Sequence, residues 1–356
     1  MKKNITLLLI SFFLLVSCSS DEDSPVIVIP LSPTTTQAVL NGGSVNVTWS
    51  AVEGAGITYN VYRSDSPLKL NTVPLTEAKF TDVLKTTGSF TYTITSNLGG
   101  VESAKGVISE KVILELPKTT TRETIDKYYD TKYEYAFTYD TSDITKLATV
   151  TINLTDTNVK TKEVKIIKSI SKYTYTGDFI TKIMSYTDDN ILKSSSEYVY
   201  NEQKKLKAVI AKKADGSINY TISYTYNEDG TITETDDSPG SGPAIYTFEK
   251  GNLVKYSATT PVGVGNEYVV VTNSVYDSKN GSNTNVAGLN LLLSYNKNNS
   301  ISSSSVYNYN GEIESTETSK SNYIYNQNGY VLTKMKSVIT SAGVTIQTEE
   351  TVVTYY

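Results

Sequence analysis

The residues able to do chemistry in this chain are few in kind. Its 356 residues include no histidine and one cysteine, Cys18. Without imidazole the chain lacks the usual general base, the partner of a serine or cysteine nucleophile, and the commonest metal ligand. One cysteine makes neither an internal disulfide nor a thiolate zinc site. Carboxylates, hydroxyls, lysine amines and 28 tyrosines remain. Two carboxylates can hydrolyse a glycosidic bond when they stand roughly 5–10 Å apart, but no pair stands out along the sequence. Asp188 and Asp189 with Asn190, and Asp236 with Asp237, offer the oxygen ligands that calcium takes. They lack EF-hand spacing, and hairpin turns favour Asp and Asn in any case. The expectation is therefore turns, with no metal site and no cofactor.

Cys18 has the most telling surroundings. Lys2 and Lys3 precede an apolar run, 5–16, that is too short to span a bilayer, and Ser17 stands just before the cysteine. A basic start, an apolar centre and a small residue make an export signal over 1–17. Leu15-Val16-Ser17-Cys18 resembles a bacterial lipobox. That resemblance implies cleavage before Cys18 and a lipid on its thiol, so the membrane is a partner through an anchor. The acidic cluster Asp21, Glu22 and Asp23, within a tether over 18–24, resembles the surface-export signal of Bacteroidota lipoproteins. It implies an outer-membrane protein exposed on the cell surface. Losing Lys2 and Lys3 with the signal makes a net charge of −5 more negative still, which argues against nucleic acid as a partner.

The elements behind this tether read as strands. In 25–116, Val45, Val47 and Trp49 alternate with polar residues, as do Tyr59, Val61 and Arg63, and later Phe90, Tyr92 and Ile94. Asn41-Gly42-Gly43 and Gly99-Gly100 mark turns. Short strands at this density describe a β-sandwich. The segments 47–55, 59–64 and 89–94 resemble strands and turns of a fibronectin type III domain. The resemblance implies a core position for Trp49. Phe90 stands where that family places its corner tyrosine, leaving Tyr92 as the neighbour able to supply the hydroxyl. Residues 117–123, rich in Thr and charge, read as a linker.

From 124 to 356 a repeat dominates: an aromatic-x-aromatic pair, a turn, then an aliphatic strand. Examples are Tyr173 and Tyr175 before Gly177, Tyr198 and Tyr200 before Leu206, and Tyr224 and Tyr226 before Gly230 and Ile232. Residues two apart share a face of a strand. Second turns at 188–190 and 214–217 split each period into two strands joined up and down. The chain is thus read as all-β, a sandwich followed by a long antiparallel meander. One amphipathic sheet must bury its apolar face, so the meander curls or closes. The Tyr-x-Tyr-Asn-x-x-Gly hairpins, with the lipoprotein start, resemble a Bacteroidota lipoprotein family of unknown function with a porin-like fold. This implies shape rather than activity. Lysine, threonine and serine on one strand face, and Glu349 and Glu350 in the last strand, argue against lipid-facing walls.

These observations favour a non-catalytic surface lipoprotein that binds an extracellular glycan or protein through a cavity or rim. The Gly-, Pro- and Ser-rich loops at 236–243 and 258–266 are the candidate rims. Two alternatives stay open: a carboxylate-dependent polysaccharide hydrolase, and a structural envelope component. The tyrosine ladders offer glycans stacking and hydroxyl contacts, but aromatic pairs across strands also form the fabric of a sheet.

Overall fold

The computed structural model describes residues 28–340 and 342–356. Cys18, Asp21, Glu22 and Asp23 lie outside the described residues.

The alternating segments near the N-terminus form short strands because their apolar residues share one face. They are β1 (Thr36–Asn41), β2 (Ser44–Trp49), β3 (Thr58–Arg63), β4 (Lys79–Val83), β5 (Gly88–Phe90), β6 (Tyr92–Leu98), β7 (Val101–Glu102) and β8 (Val112–Leu114). Sheets β1-β2-β4 and β3-β6-β7 share one core with the β5-β8 pair. Val45, Val47, Val61, Tyr92 and Ile94 are fully buried there. Trp49 is 7% exposed and meets Tyr59 edge to face at 5.4 Å, a core role. Tyr92 donates its hydroxyl to Asp82 Oδ2 at 2.8 Å, and Arg63 pairs with the same oxygen at 2.7 Å. Phe90, without a hydroxyl, packs under the Arg63 guanidinium instead.

The rest of the chain closes on itself. The strands are β9 (Pro117–Asp126), β10 (Tyr129–Tyr139), β11 (Leu147–Asn158), β12 (Val164–Thr176), β13 (Phe179–Thr187), β14 (Leu192–Tyr200), β15 (Leu206–Lys213) and β16 (Ile218–Tyr226). They continue as β17 (Ile232–Asp236), β18 (Ala244–Glu249), β19 (Asn252–Pro261), β20 (Glu267–Tyr276), β21 (Ser300–Tyr309), β22 (Glu312–Tyr325), β23 (Val331–Thr340) and β24 (Thr345–Tyr355). Each pairs antiparallel with its sequence neighbours, and β24 pairs with β9 through Val352 and Thr121. The result is a closed barrel of 16 strands, which leaves no sheet edge exposed. Two sequence readings change here. Residues 117–123 are not a linker but the first part of β9, which completes the ring. Residues 258–261 are not loop but the end of β19, and only 262–266 form the turn.

Most of the aromatic pairs sit at one end of this barrel; Tyr307 and Tyr309 lie toward the other, where β21 ends. At Tyr139, Tyr175, Tyr200, Phe248, Tyr276, Tyr325 and Tyr355 the ladder skips one residue on the neighbouring strand. Such a bulge re-aims side chains. It brings Leu147, Ile180, Leu206 and Val331 opposite an aromatic residue, and all four are buried. The segment 277–299, between β20 and β21, crosses this end. Its Ala287 amide donates to Thr145 O, Lys297 to Gly251 O and Asn280 to Gly329 O. It thus ties together turns contributed by β10–β11, β18–β19 and β22–β23. The N-terminal sheets dock at the same end. Lys85 donates to Ser142 O, Thr87 to Tyr356 O, and Glu115 accepts from the side chains of Asn326 and Asn328.

Candidate functional site

Strand alternation divides the barrel wall into a lumen face and an outer face. The lumen face holds the aromatic pairs near the plugged end. Tyr133, Tyr135 and Phe137 stack along β10 with centroids 6.0 and 6.4 Å apart. Tyr135 and Phe137 line a cavity of about 780 Å³ with Tyr173, Tyr276 and Tyr323, together with Leu289 and Tyr295 of the 277–299 segment. Across the lumen Tyr198, Tyr224, Tyr246 and Tyr256 surround Glu234. Tyr246 donates to Glu234 Oε2 at 2.8 Å. Burial, the leading cause, and the nearby Tyr198 charge push Tyr173 up to about 12. Burial does the same for Tyr200, with smaller contributions from Tyr198 and Tyr226. These phenols therefore stay protonated and act as hydrogen-bond donors at any physiological pH.

One wall of the lumen is charged. Reading across the ladder, Tyr133, Arg122, Thr351, Lys334 and Tyr323 stand in one row over β10, β9, β24, β23 and β22. Lys336 and Glu349 form the adjacent row. Lys334 Nζ lies 2.6 Å from Glu349 Oε1. The Arg122 guanidinium lies over the Tyr133 ring, 4.5 Å from its centroid, and its buried Nε has no hydrogen-bond partner among the described residues. Burial, then the Lys334 charge and more weakly Arg122, hold Lys336 below the usual lysine range, against the opposing pull of Glu349. For Glu349, burial is the largest effect and pushes it up. The Lys334 hydrogen bond and the charges of Lys334, Lys336 and Arg122 together outweigh it and leave Glu349 below the usual carboxylate range.

The outer face is different. Lys132, Lys182, Glu197, Lys255, Lys320 and Glu350 project outward near the middles of their strands, among many threonines and serines. Glu197 bridges Lys182 and Lys212 across three strands. Exposed apolar residues, among them Val199, Ile245, Val275, Ile324, Met335 and Val352, share this face with the charges, so the described part of the wall is mixed rather than uniformly apolar.

The candidates named from sequence fall at the end away from the plug. Asp188, Asp189 and Asn190 form the exposed turn from β13 to β14, with Asn190 at φ 61°. Asp236 accepts hydrogen bonds from the Ser238 amide and hydroxyl, and Asp237 accepts one from the Thr221 amide. These carboxylates serve turns. Among the described residues no three His, Cys, Asp or Glu side chains come together as a metal site. The loops 237–243 and 262–266 rim the unplugged mouth, where Val264 is wholly exposed.

The charged wall and the plug escaped the sequence reading. Arg122 is one of two arginines in the chain and lies in polar alternation with Thr120 and Thr124. That rarity was the available signal. For the plug, the signal was the apolar stretch Leu289 to Leu293 inside an Asn-rich gap between strands.

No family model matches this chain, and no curated protein matches it. Among solved structures it is similar to a porin-like protein from Bacteroides uniformis ATCC 8492. That likeness has 13% identity over 67% of this chain and 96% of that one, with a TM-score of 0.42. A porin-like protein from Bacteroides vulgatus ATCC 8482 is similar at 12% identity, over 68% of this chain and 99% of that one, with a TM-score of 0.38. Both lie below the similarity from which a shared fold follows, and the barrel rests on its own strand pairings.

Proposed function

We propose that this protein is a lipid-anchored cup on the outer-membrane surface that captures an extracellular ligand, a glycan or a protein segment, in its barrel lumen. The carrying observation is the asymmetry of the barrel. One end is crossed by 277–299 and covered by the N-terminal sheets, while the other is rimmed by short turns. A barrel closed at one end holds rather than conducts. In this reading Cys18 carries the lipid, Asp21, Glu22 and Asp23 direct surface export, and the fibronectin type III-like sheets act as a spacer. The plugged end then faces the membrane and the open mouth faces outward.

Charges near the strand middles support a barrel standing in water. A lysine at the bilayer midplane of a barrel costs about 2–4 kcal/mol, and such residues occur around the circumference. The reading is non-catalytic: the lack of imidazole, and of a free thiol once Cys18 is acylated, favours it and leaves carboxylate-dependent hydrolysis as the alternative.

The test has two arms. A Cys18→Ser chain should remain monodisperse in buffer without detergent, and aggregation relieved only by detergent would favour a membrane-embedded barrel. Binding of the full chain to a panel of oligosaccharides and extracellular proteins should give at least one saturable partner. Absence of binding together with solute leakage through proteoliposomes would replace the cup with a channel.

A further inference from the structure

We propose that the lumen wall made by Arg122, Lys334 and Lys336 around Glu349 is a binding site for an anionic oligosaccharide, a sugar chain carrying carboxylates or sulfate esters. The assignment rests on the reading of the lumen as a ligand cup and names what the cup takes.

The charges on this wall do not balance. Three cationic side chains face one carboxylate, and Lys334 uses that carboxylate at 2.6 Å. Arg122 and Lys336 have no carboxylate within 4.0 Å among the described residues. The protein leaves two positive charges on a concave, partly desolvated wall, where each would gain from an added anion.

A buried guanidinium nitrogen without a partner is uncommon, because its lost hydration goes unreplaced. Arg122 Nε is such an atom. Nε itself is closed to solvent, but Tyr133 supports the flat face of the guanidinium and the Nη groups make no hydrogen bond among the described residues, so a ligand would meet the Nη edge. That planar fork matches carboxylate and sulfate oxygens.

The shape of the site suits an extended ligand. Lys334 and Lys336 are two residues apart on one strand, about 7 Å, so their charges are spread rather than focused on one ion. The aromatic run Tyr133, Tyr135 and Phe137 continues from the cationic row toward the plug. Phenol rings offer flat apolar faces with polar tips, as a pyranose chain requires. The cavity of about 780 Å³ holds several sugar units rather than a lone anion.

The experiment is calorimetric titration of the full chain in detergent with four probes: maltohexaose, sulfated maltohexaose, hexamannuronate and hexaglutamate. One or both acidic sugars should bind at least tenfold more tightly than maltohexaose, with affinity falling as salt rises, and their ratio tells carboxylate from sulfate recognition. Arg122→Gln and Lys336→Gln should each weaken that binding about tenfold, and Lys320→Gln on the outer face should leave it unchanged. Glu349→Gln should strengthen it, the reverse of what a merely structural role would produce. Melting curves identify variants that fail to fold, and Arg122→Lys serves in place of Arg122→Gln if the latter does. Equal binding of neutral and acidic sugars, indifferent to these substitutions, would overturn the anion site while sparing the cup. Preference for hexaglutamate over both acidic sugars would overturn the saccharide assignment. Failure of all four probes to bind would overturn the site and count against the glycan form of the cup reading.

Discussion

The Tyr226 hydroxyl donates to the backbone carbonyl of Leu206 at 3.0 Å, tying the end of β16 to the start of β15. The contact recurs around the plugged rim. Tyr200 donates to Ile180 O, Tyr276 to Leu253 O, Tyr355 to Val331 O and Tyr139 to Pro117 O, all between 2.8 and 2.9 Å. Each hairpin is pinned to its predecessor at the bulge, where the regular ladder is interrupted. At these five positions the aromatic is therefore structural; among the first aromatics of the pairs Tyr323 makes the same kind of bond, to Ser300 O at 2.7 Å, while Tyr173 and Tyr198 line the lumen.

Replacing one of these tyrosines by phenylalanine leaves a carbonyl without its donor in a partly buried rim. Tyr200→Phe and Tyr226→Phe should each lower stability by about 1 kcal/mol. Tyr133→Phe, where no such hydroxyl bond exists among the described residues, should be near neutral. Urea unfolding midpoints of the three variants check this, and equal losses at all three would remove the hydroxyl from the account.

The tightest glycine in the 277–299 plug is Gly288. Gly288 has φ 78°, and a Cβ there would meet Ile180 Cγ1 at 2.8 Å and Asp178 O at 2.9 Å. Left-handed backbone and a close backbone oxygen act together, so Gly288→Ala should cost about 2 kcal/mol or more. The loss should be local, because the ring of strand pairings does not pass through 277–299. Limited proteolysis should then cut within 277–299 faster than in the parent chain, with the barrel fragments still associated. Unchanged cleavage would mean the plug accommodates the methyl group.

How much of this was legible beforehand follows from the physics of individual strands. The Tyr-x-Tyr spacing announced hairpins because aromatics two apart must share a face, and 173–200 behaves that way. Turns at 188–190 and 214–217 appeared where Asp, Asn and Gly predicted them. Closure was not legible, because β9 contributes Thr120, Arg122 and Thr124 to a polar lumen and so lacks the apolar alternation that marks a strand. Its partner β24 is the last strand in the sequence, a pairing that no local pattern encodes. The charged wall was hidden for the same reason. Arg122, Lys334 and Glu349 come from three strands, and only barrel closure makes them neighbours.

Glu115 joins the two parts of the molecule. It is 9% exposed and accepts from the side-chain amides of Asn326 and Asn328 in the β22–β23 turn. Its backbone carbonyl takes a third bond, from Asn285 of the plug. Hydrogen bonds to a charged group are worth about 1.5–3 kcal/mol each. Glu115→Ala should thus weaken coupling between the N-terminal sheets and the barrel, splitting one calorimetric transition into two. A single transition at the parent temperature would show that the remaining contacts suffice.

The pH response should be set in part by Glu349. Arg122 on β9, Lys334 and Lys336 on β23, Tyr135 on β10 and Tyr323 on β22 all act electrostatically with it. Its folded-state pKa lies below the ordinary carboxylate value, so the unfolded chain binds its proton first as pH falls. The stabilisation is therefore complete above the unfolded value of about 4.3 and is lost as pH drops through the folded one. Lys336 works in the opposite range. Its pKa is lowered on folding, so its charge is a cost at neutral pH that is relieved as pH rises toward the ordinary lysine value. Glu349→Gln should remove the acid-side dependence and, by leaving three cations together, destabilise the barrel at pH 7 by about 1–3 kcal/mol. Adding Lys336→Met should recover part of that loss. Urea midpoints measured from pH 3 to pH 10 on the parent and both variants test this, and a parent profile identical to that of Glu349→Gln below pH 5 would refute the assignment.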